Sequence, residues 1–317
     1  MKRSLMAELL LNALAECPSS GLASRAKFAA LSRIRTALTN RGNWLARYKL
    51  ERTDLLLPLE HQLPIYRRSY REYSRNVGRL AGYVQAKYPG SPIIDIGANV
   101  GDTIAIIRTK TDAPILAIEG DDLYFRLLEE NVDHSNLKFV TPAHAFVGSA
   151  SAMQGTLRRV GGTASFEERS SSSVTPVPLQ AILAKHSQFE PARLLKIDTD
   201  GFDCQIVSSS LRWLASVRPV MFIEYDPALT RKQGVTAELV FEEVRSVGYK
   251  YAICWQNTGE YLLTAELDNK SLLNDLDARY SAPGSYLDIA FVHEQDSDLA
   301  ISIRNGEIDY FQRSRIT

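Results

Sequence analysis

With 317 residues, 45% of them hydrophobic, the chain can bury one large core, or one core plus an appended segment. Its 37 basic and 37 acidic side chains cancel, but residues 1–90 carry 16 Lys and Arg against 6 Asp and Glu, while the remainder carries 21 against 31. Three cysteines, Cys17, Cys204 and Cys254, are odd in number and lack CxxC spacing, which argues against a disulfide framework and a cysteine zinc site.

The chain starts with Lys2 and Arg3, but Glu8, Asn12 and Glu16 interrupt the apolar run that follows. That pattern suits neither a signal peptide nor a membrane span, so the expected compartment is the reducing cytoplasm. Leu5 and Leu9, then Met6, Leu10 and Leu14, recur at helical spacing, and helical patterns continue through residues 27–50. Residues 1–90 are therefore expected to be a mostly helical, basic extension. Its charge is read first as solvated helix faces and second as peripheral contact with an anionic membrane surface; no nucleic-acid partner is expected. Within it, residues 55–73 carry Pro58, His61, Pro64, Tyr66, Tyr70 and Tyr73. A tyrosine stripe of this spacing is usually packing, and a lid or substrate wall is the second reading.

From residue 92 the pattern alternates short β-branched runs with helical segments, the mark of an α/β fold with a parallel sheet covered on both faces. Strands are expected at 93–97, 115–119, 137–141, 194–198, 220–225, 249–255 and 286–293. Helices are expected at 103–110, 123–132, 179–186, 205–210 and 237–247. Residues 149–178, rich in Ser and Gly, read as an irregular loop. The main domain is placed at 91–295, with a tail at 296–317.

Residues 92–101 read Pro-Ile-Ile-Asp-Ile-Gly-Ala-Asn-Val-Gly, a buried strand entering a glycine turn at the head of a helix. A buried carboxylate at Asp95 calls for a ligand or group with donors, and Gly97 and Gly101 let backbone approach a bound molecule. A dinucleotide fingerprint would need glycine at Asn99 and Asp102, and a P-loop would need glycine at Asp102 followed by lysine; both patterns fail. Glu119, at the end of the next strand, suits an acceptor for ribose hydroxyls, so an adenosine-containing ligand is expected. A second constellation, Leu-Leu-Lys-Ile-Asp-Thr-Asp-Gly-Phe-Asp at 194–203, gathers Asp198, Asp200 and Asp203 at the carboxyl end of another inner strand. Lys196 inside that strand needs a buried partner, for which Glu224 in Phe-Ile-Glu-Tyr-Asp-Pro is the candidate. The alternative is a lysine and a glutamate that only neutralise each other.

Together these two motifs resemble the FkbM-type family of S-adenosylmethionine-dependent methyltransferases. The resemblance implies a class I methyltransferase (Rossmann-like) fold with a mostly parallel seven-stranded sheet ending in a hairpin. It further implies methyl transfer to a hydroxyl of a small molecule, sugar, glycan or natural product. Asp95, Gly97, Ala98, Asn99 and Gly101 would hold the methionine part, Glu119 the ribose, and Ala145, within residues 143–147, would lie near the adenine. Asp198 is the first candidate for the base or for orienting the acceptor, followed by Asp200 and Glu224, with Lys196 beside them. His61, His144 and His293 are set aside as core histidines. A divalent metal on the three acids is compatible with their chemistry, but no spacing requires it. The chain departs from the family pattern at Asp200 and Asp203, where glutamates are usual, at Gly120 in place of Pro, and at Leu179-Gln180 in place of Leu-Asp. A non-catalytic binding protein is the alternative function, and a nicotinamide-dependent oxidoreductase is disfavoured by the missing glycines.

Overall fold

The computed structural model describes residues 2–135, 137–149, 153–167, 173–199, 201–232, 234, 236–282 and 284–314. The chain opens with β1 (Lys2–Arg3), α1 (Leu5–Ala15) and α2 (Leu22–Thr39), then β2 (Trp44–Leu50), β3 (Thr53–Pro58), α3 (Leu63–Ser69) and α4 (Arg75–Lys87). The helical reading of 27–50 therefore ends early. Leu45, Tyr48 and Leu50 are buried while Arg47 and Lys49 are exposed, an alternation that favours a strand. β1, β2 and β3 form a small three-stranded sheet.

The second part contains β4 (Ile93–Ile96), α5 (Asp102–Ile107), β5 (Ile115–Glu119), α6 (Asp122–His134) and β6 (Val140–His144). β6 starts three residues later than expected because Phe139 has a left-handed φ of 58°, which breaks the extended run. The described residues within 149–178 are more regular than their composition suggests. They contain β7 (Met153–Gln154), β8 (Thr156–Val160), β9 (Thr163–Glu167) and β10 (Ser173–Val174), with β8 and β9 joined across Gly161-Gly162 and β7 paired with β10.

Next come α7 (Leu179–Leu183), β11 (Leu194–Ile197), α8 (Asp203–Val217), β12 (Val220–Tyr225), α9 (Pro227–Lys232), α10 (Ala237–Ser246), β13 (Tyr249–Gln256), β14 (Tyr261–Glu266), α11 (Lys270–Arg279), β15 (Leu287–His293) and α12 (Ser297–Ser314). The central sheet has eight strands rather than the expected seven, in the order β14-β13-β15-β12-β11-β4-β5-β6. The five strands from β12 to β6 are parallel, and β15 runs antiparallel between β12 and β13. The added strand is β14. It forms the hairpin with β13, whereas β13 and β15, though adjacent, are separated in the chain by β14 and α11.

Alternating residues of the inner strands feed two cores. Ile94, Ile96, Leu195, Ile197, Met221 and Ile223 face α7, α8 and α10, while Ile93, Ile115, Leu194, Val220 and Phe222 face α4, α5 and α12. A third core joins the extension to the domain, with Ala7, Leu11, Leu45, Leu55 and Leu57 packed on Ile106, Tyr124 and Leu127. Each fully buried leucine of that seam contributes about 2 kcal/mol. α12 is tied in by charge as well as by packing: Arg79 donates to both carboxylate oxygens of the fully buried Glu307 at 2.8 Å, and Trp255 Nε1 donates to Glu307 Oε2 at 2.7 Å. Among the described residues, no helix is long and apolar enough to cross a membrane.

Candidate active site

The carboxyl ends of β4, β5, β11 and β12 open into a cavity of about 360 Å³, the place where open α/β sheets bind ligands. Its other walls come from residues 145–147, the β8–β9 hairpin, Tyr286, and the segment from His61 to Ser74.

The turn after β4 is set by close backbone approach. Gly97 has φ +77°, and a Cβ placed on it would lie 1.8 Å from the Asp198 carbonyl oxygen, so no side chain fits. Asn99 follows with φ 48°, a conformation that Asn tolerates better than most residues. In that pose its N–H donates to Glu119 Oε2 at 2.8 Å, while Asp121 N–H donates to Glu119 Oε1 at 2.7 Å. Burial still outweighs these bonds and pushes the Glu119 carboxyl up to about 7. The Asn99 side chain ties the turn to the outer wall, its Nδ2 donating to Gly162 O at 2.7 Å. His61 Nδ1 accepts from Leu63 N–H at 3.2 Å, which leaves the Nε2 hydrogen for Asn99 Oδ1 at 3.4 Å. The ring is kept neutral by burial, which lowers its pKa to about 4. Beneath the turn, Asn131 clamps the small sheet to the glycine loop: it accepts from Leu56 N–H and donates to the Leu56 and Val100 carbonyls at 2.7, 3.2 and 2.8 Å.

Lys196, only 2% exposed, sits at the centre of the acidic floor. Its Nζ is 3.0 Å from Asp95 Oδ1 and 3.3 Å from Asp198 Oδ2, and it donates to Gly97 O at 3.1 Å. Burial opposes its charge, but the carboxylates of Asp198 and Asp95 outweigh burial and hold it protonated. Its ion-pair partners are thus Asp95 and Asp198, and not Glu224 as the sequence suggested. The reason is register: Lys196 pairs directly with Asp95 on β4, whereas on β12 it lies opposite Phe222, two residues short of Glu224.

Of the cofactor residues expected from sequence, Gly97, Asn99, Glu119 and Ala145 line the cavity; Asp95, Ala98 and Gly101 do not. Asp95 is fully buried behind the turn, and the group that balances its charge is Lys196. Lys196, Asp198 and Glu224 line the cavity, and Asp200 lies outside the described residues. Asp203 is a structural acid, buried at the start of α8, where its Oδ2 accepts from Thr199 N–H at 3.2 Å and from Thr199 Oγ1 at 2.9 Å.

Sequence reasoning missed His61 and Asp102, and gave Tyr66 and Tyr73 to packing first, yet all four line the cavity. The available signal was Asp102's place at the head of the helix that follows the glycine turn. The tyrosines gave none, since a wall and a packed stripe have the same spacing. His144 stacks on Phe125 and His293 caps Gln295, both outside the cavity.

Residues 95–251 match the family described as the Methyltransferase FkbM domain. This region belongs to that family. No curated protein matches the chain. Among solved structures, the methyltransferase FkbM from Methylobacillus flagellatus is similar at 13% identity, with a TM-score of 0.37, over 77% of this chain and 54% of that one. The human methyltransferase 10 domain containing protein is similar at 13% identity, TM-score 0.40, over 76% and 88%. Precorrin-6y C5,15-methyltransferase from Geobacter metallireducens is similar at 14% identity, TM-score 0.36, over 64% and 80%.

The strand order of the FkbM domain and its flanking elements is that of class I methyltransferases with one strand added. Its family makes the protein an S-adenosylmethionine-dependent methyltransferase. The cavity suits that cofactor. Gly97 brings bare backbone to its edge, Glu119 offers acceptor oxygens, and the buried Tyr124 hydroxyl in the wall has no hydrogen-bond partner. Among the described residues, no group of three or more His, Cys, Asp or Glu is placed to hold a metal ion; Asp200, one of the three acids considered for one, lies outside them.

Proposed function

We propose that the protein is an O-methyltransferase acting on a hydroxyl of a small-molecule acceptor, a sugar, glycan or natural product. The observation that carries this reading is the position of Asp198: its side chain is 42% exposed, opens into the cavity, and is held by Lys196 at 3.3 Å. S-adenosylmethionine supplies an electrophilic methyl group on a sulfonium. Gly97 and Asn99 would hold its amino-acid part, Glu119 would accept from its ribose, and Ala145 would lie near its base. Asp198 accepts a hydrogen bond from the acceptor hydroxyl and takes its proton as the oxygen becomes the nucleophile. Lys196 fixes the Asp198 carboxylate and keeps a positive charge beside it, while Glu224 borders the acceptor from the next strand. The walls formed by Tyr66, Tyr73 and the β8–β9 hairpin exclude water and hold the acceptor in line, where most of the rate advantage of such a displacement arises.

The test is release of S-adenosylhomocysteine in the presence of fractionated cell extracts, by the native protein and by Asp198→Ala. Loss of about 100-fold or more in turnover with cofactor affinity retained supports the assignment. Full turnover by the variant rejects Asp198 as the base.

A further inference from the structure

The extension leaves one face without a partner. α2 runs for 18 residues, yet none of its side chains is buried. An isolated helix of that length is marginal, so an apolar stripe normally sets it into a core. Here only one side is held: Arg68 lies over the Phe28 ring at 4.1 Å, and Arg35 donates to the Leu59 and His61 carbonyls at 2.7 and 3.2 Å. At about 100° per residue the opposite side carries Leu22, Ala26, Ala29, Ala30, Arg33 and Ala37, all exposed, with Arg25 and Lys27 on its two borders. α1, which packs on α2, adds Leu5, Met6 and Leu9, exposed on a single arc of that helix. Among the described residues, seven of the ten large apolar side chains left exposed fall between residues 5 and 70, so apolar surface is gathered on the extension rather than scattered over the molecule.

Charge decides what covers this face. Residues 17–50 hold seven Lys and Arg and no Asp or Glu, and among the described residues none of the seven stands in an ion pair. A second copy seated symmetrically would set these cations against themselves. A nucleic acid would answer the charge, but it is gripped by cations and stacked on aromatic rings, and leucines offer it nothing. An anionic bilayer answers both features: apolar side chains enter the boundary between head groups and acyl chains, while the bordering Arg and Lys reach lipid phosphates.

We propose that α1 and α2 form a peripheral docking surface for an anionic phospholipid bilayer, which they engage without crossing it.

The test is sedimentation of the full chain with vesicles of phosphatidylcholine alone and of phosphatidylcholine mixed with phosphatidylglycerol, each at low and at high salt. Binding is expected on the mixed vesicles only, and high salt should weaken it. The triple variant Arg25→Gln, Lys27→Gln, Arg33→Gln should lower the partition coefficient about 100-fold, roughly fivefold for each cation. Leu5→Ser with Leu9→Ser should lower it on the order of tenfold and leave the salt dependence in place. All five side chains are exposed, so neither variant removes a core contact. Binding to neither vesicle, equal binding to both, or binding unchanged in either variant overturns the proposal. A lipid-free dimer that the leucine variant disperses also overturns it and assigns the face to a second copy, and a DNA oligonucleotide bound more tightly than the mixed vesicles assigns it to nucleic acid.

Discussion

Lys196 and Asp95 face each other across the register of β11 and β4, 3.0 Å apart and almost wholly removed from solvent. Two charges buried together gain little net stability, but separating them is costly. Lys196→Met leaves Asp95 alone in the core and is expected to lower unfolding stability by about 3–5 kcal/mol. Adding Asp95→Asn should restore much of it, since the uncompensated charge is then gone. Urea unfolding of both variants checks this; equal stability of the native and single-variant chains would show that the pair is not buried as described.

Gly97→Ala meets the Asp198 carbonyl and a positive φ at once. The turn and the end of β11 cannot both keep their places, so a loss of roughly 3 kcal/mol is expected, together with loss of cofactor binding. Gly90→Ala is the control, because open space surrounds that position although its φ is also positive. It should cost about 1 kcal/mol and leave cofactor affinity unchanged.

Much of this was legible before any coordinates. The inner strands announced themselves because a strand buried on both faces has only apolar residues to show, and the two acidic motifs interrupt that background at Asp95 and Lys196. Four features are not legible in this way. The pairing of Lys196 with Asp95 depends on the register between β11 and β4, strands distant from each other in sequence. The β8–β9 hairpin hides in polar sequence because it packs over a cavity mouth rather than a core, and only the short turn Asn-Thr-Gly-Glu announces β14. His61 and the tyrosines line the site through tertiary placement alone.

Asn131 joins β3 to the glycine loop by three hydrogen bonds while being 2% exposed. Asn131→Leu leaves the Leu56 N–H and two carbonyls without that partner. It is expected to cost about 2–4 kcal/mol and to weaken cofactor binding without changing the pH profile of turnover. Thermal unfolding and calorimetry on the same preparation read both effects.

Glu119 gives a pH dependence whose two consequences have opposite signs. Its pKa is about 7 in the folded chain against an ordinary 4.5, so the folded state holds the proton more tightly. Its contribution to stability is therefore complete below pH 4.5 and lost as pH rises to 7, a change on the order of 3 kcal/mol. Cofactor hydroxyls prefer the carboxylate, so affinity should rise over the same interval, by about tenfold between pH 5.5 and 7.5. Glu119→Gln should flatten both curves; a native-like pH dependence in that variant would remove Glu119 from the site.

The central claim is that the cavity beside Gly97 binds a methyl-donor cofactor. Calorimetric titration of the native chain with S-adenosylmethionine, and separately with NAD, tests it most directly. Saturable binding of S-adenosylmethionine at one site per chain, absent in Gly97→Ala and weakened in Glu119→Gln, is the expected result. Binding of NAD with none of S-adenosylmethionine would contradict the account.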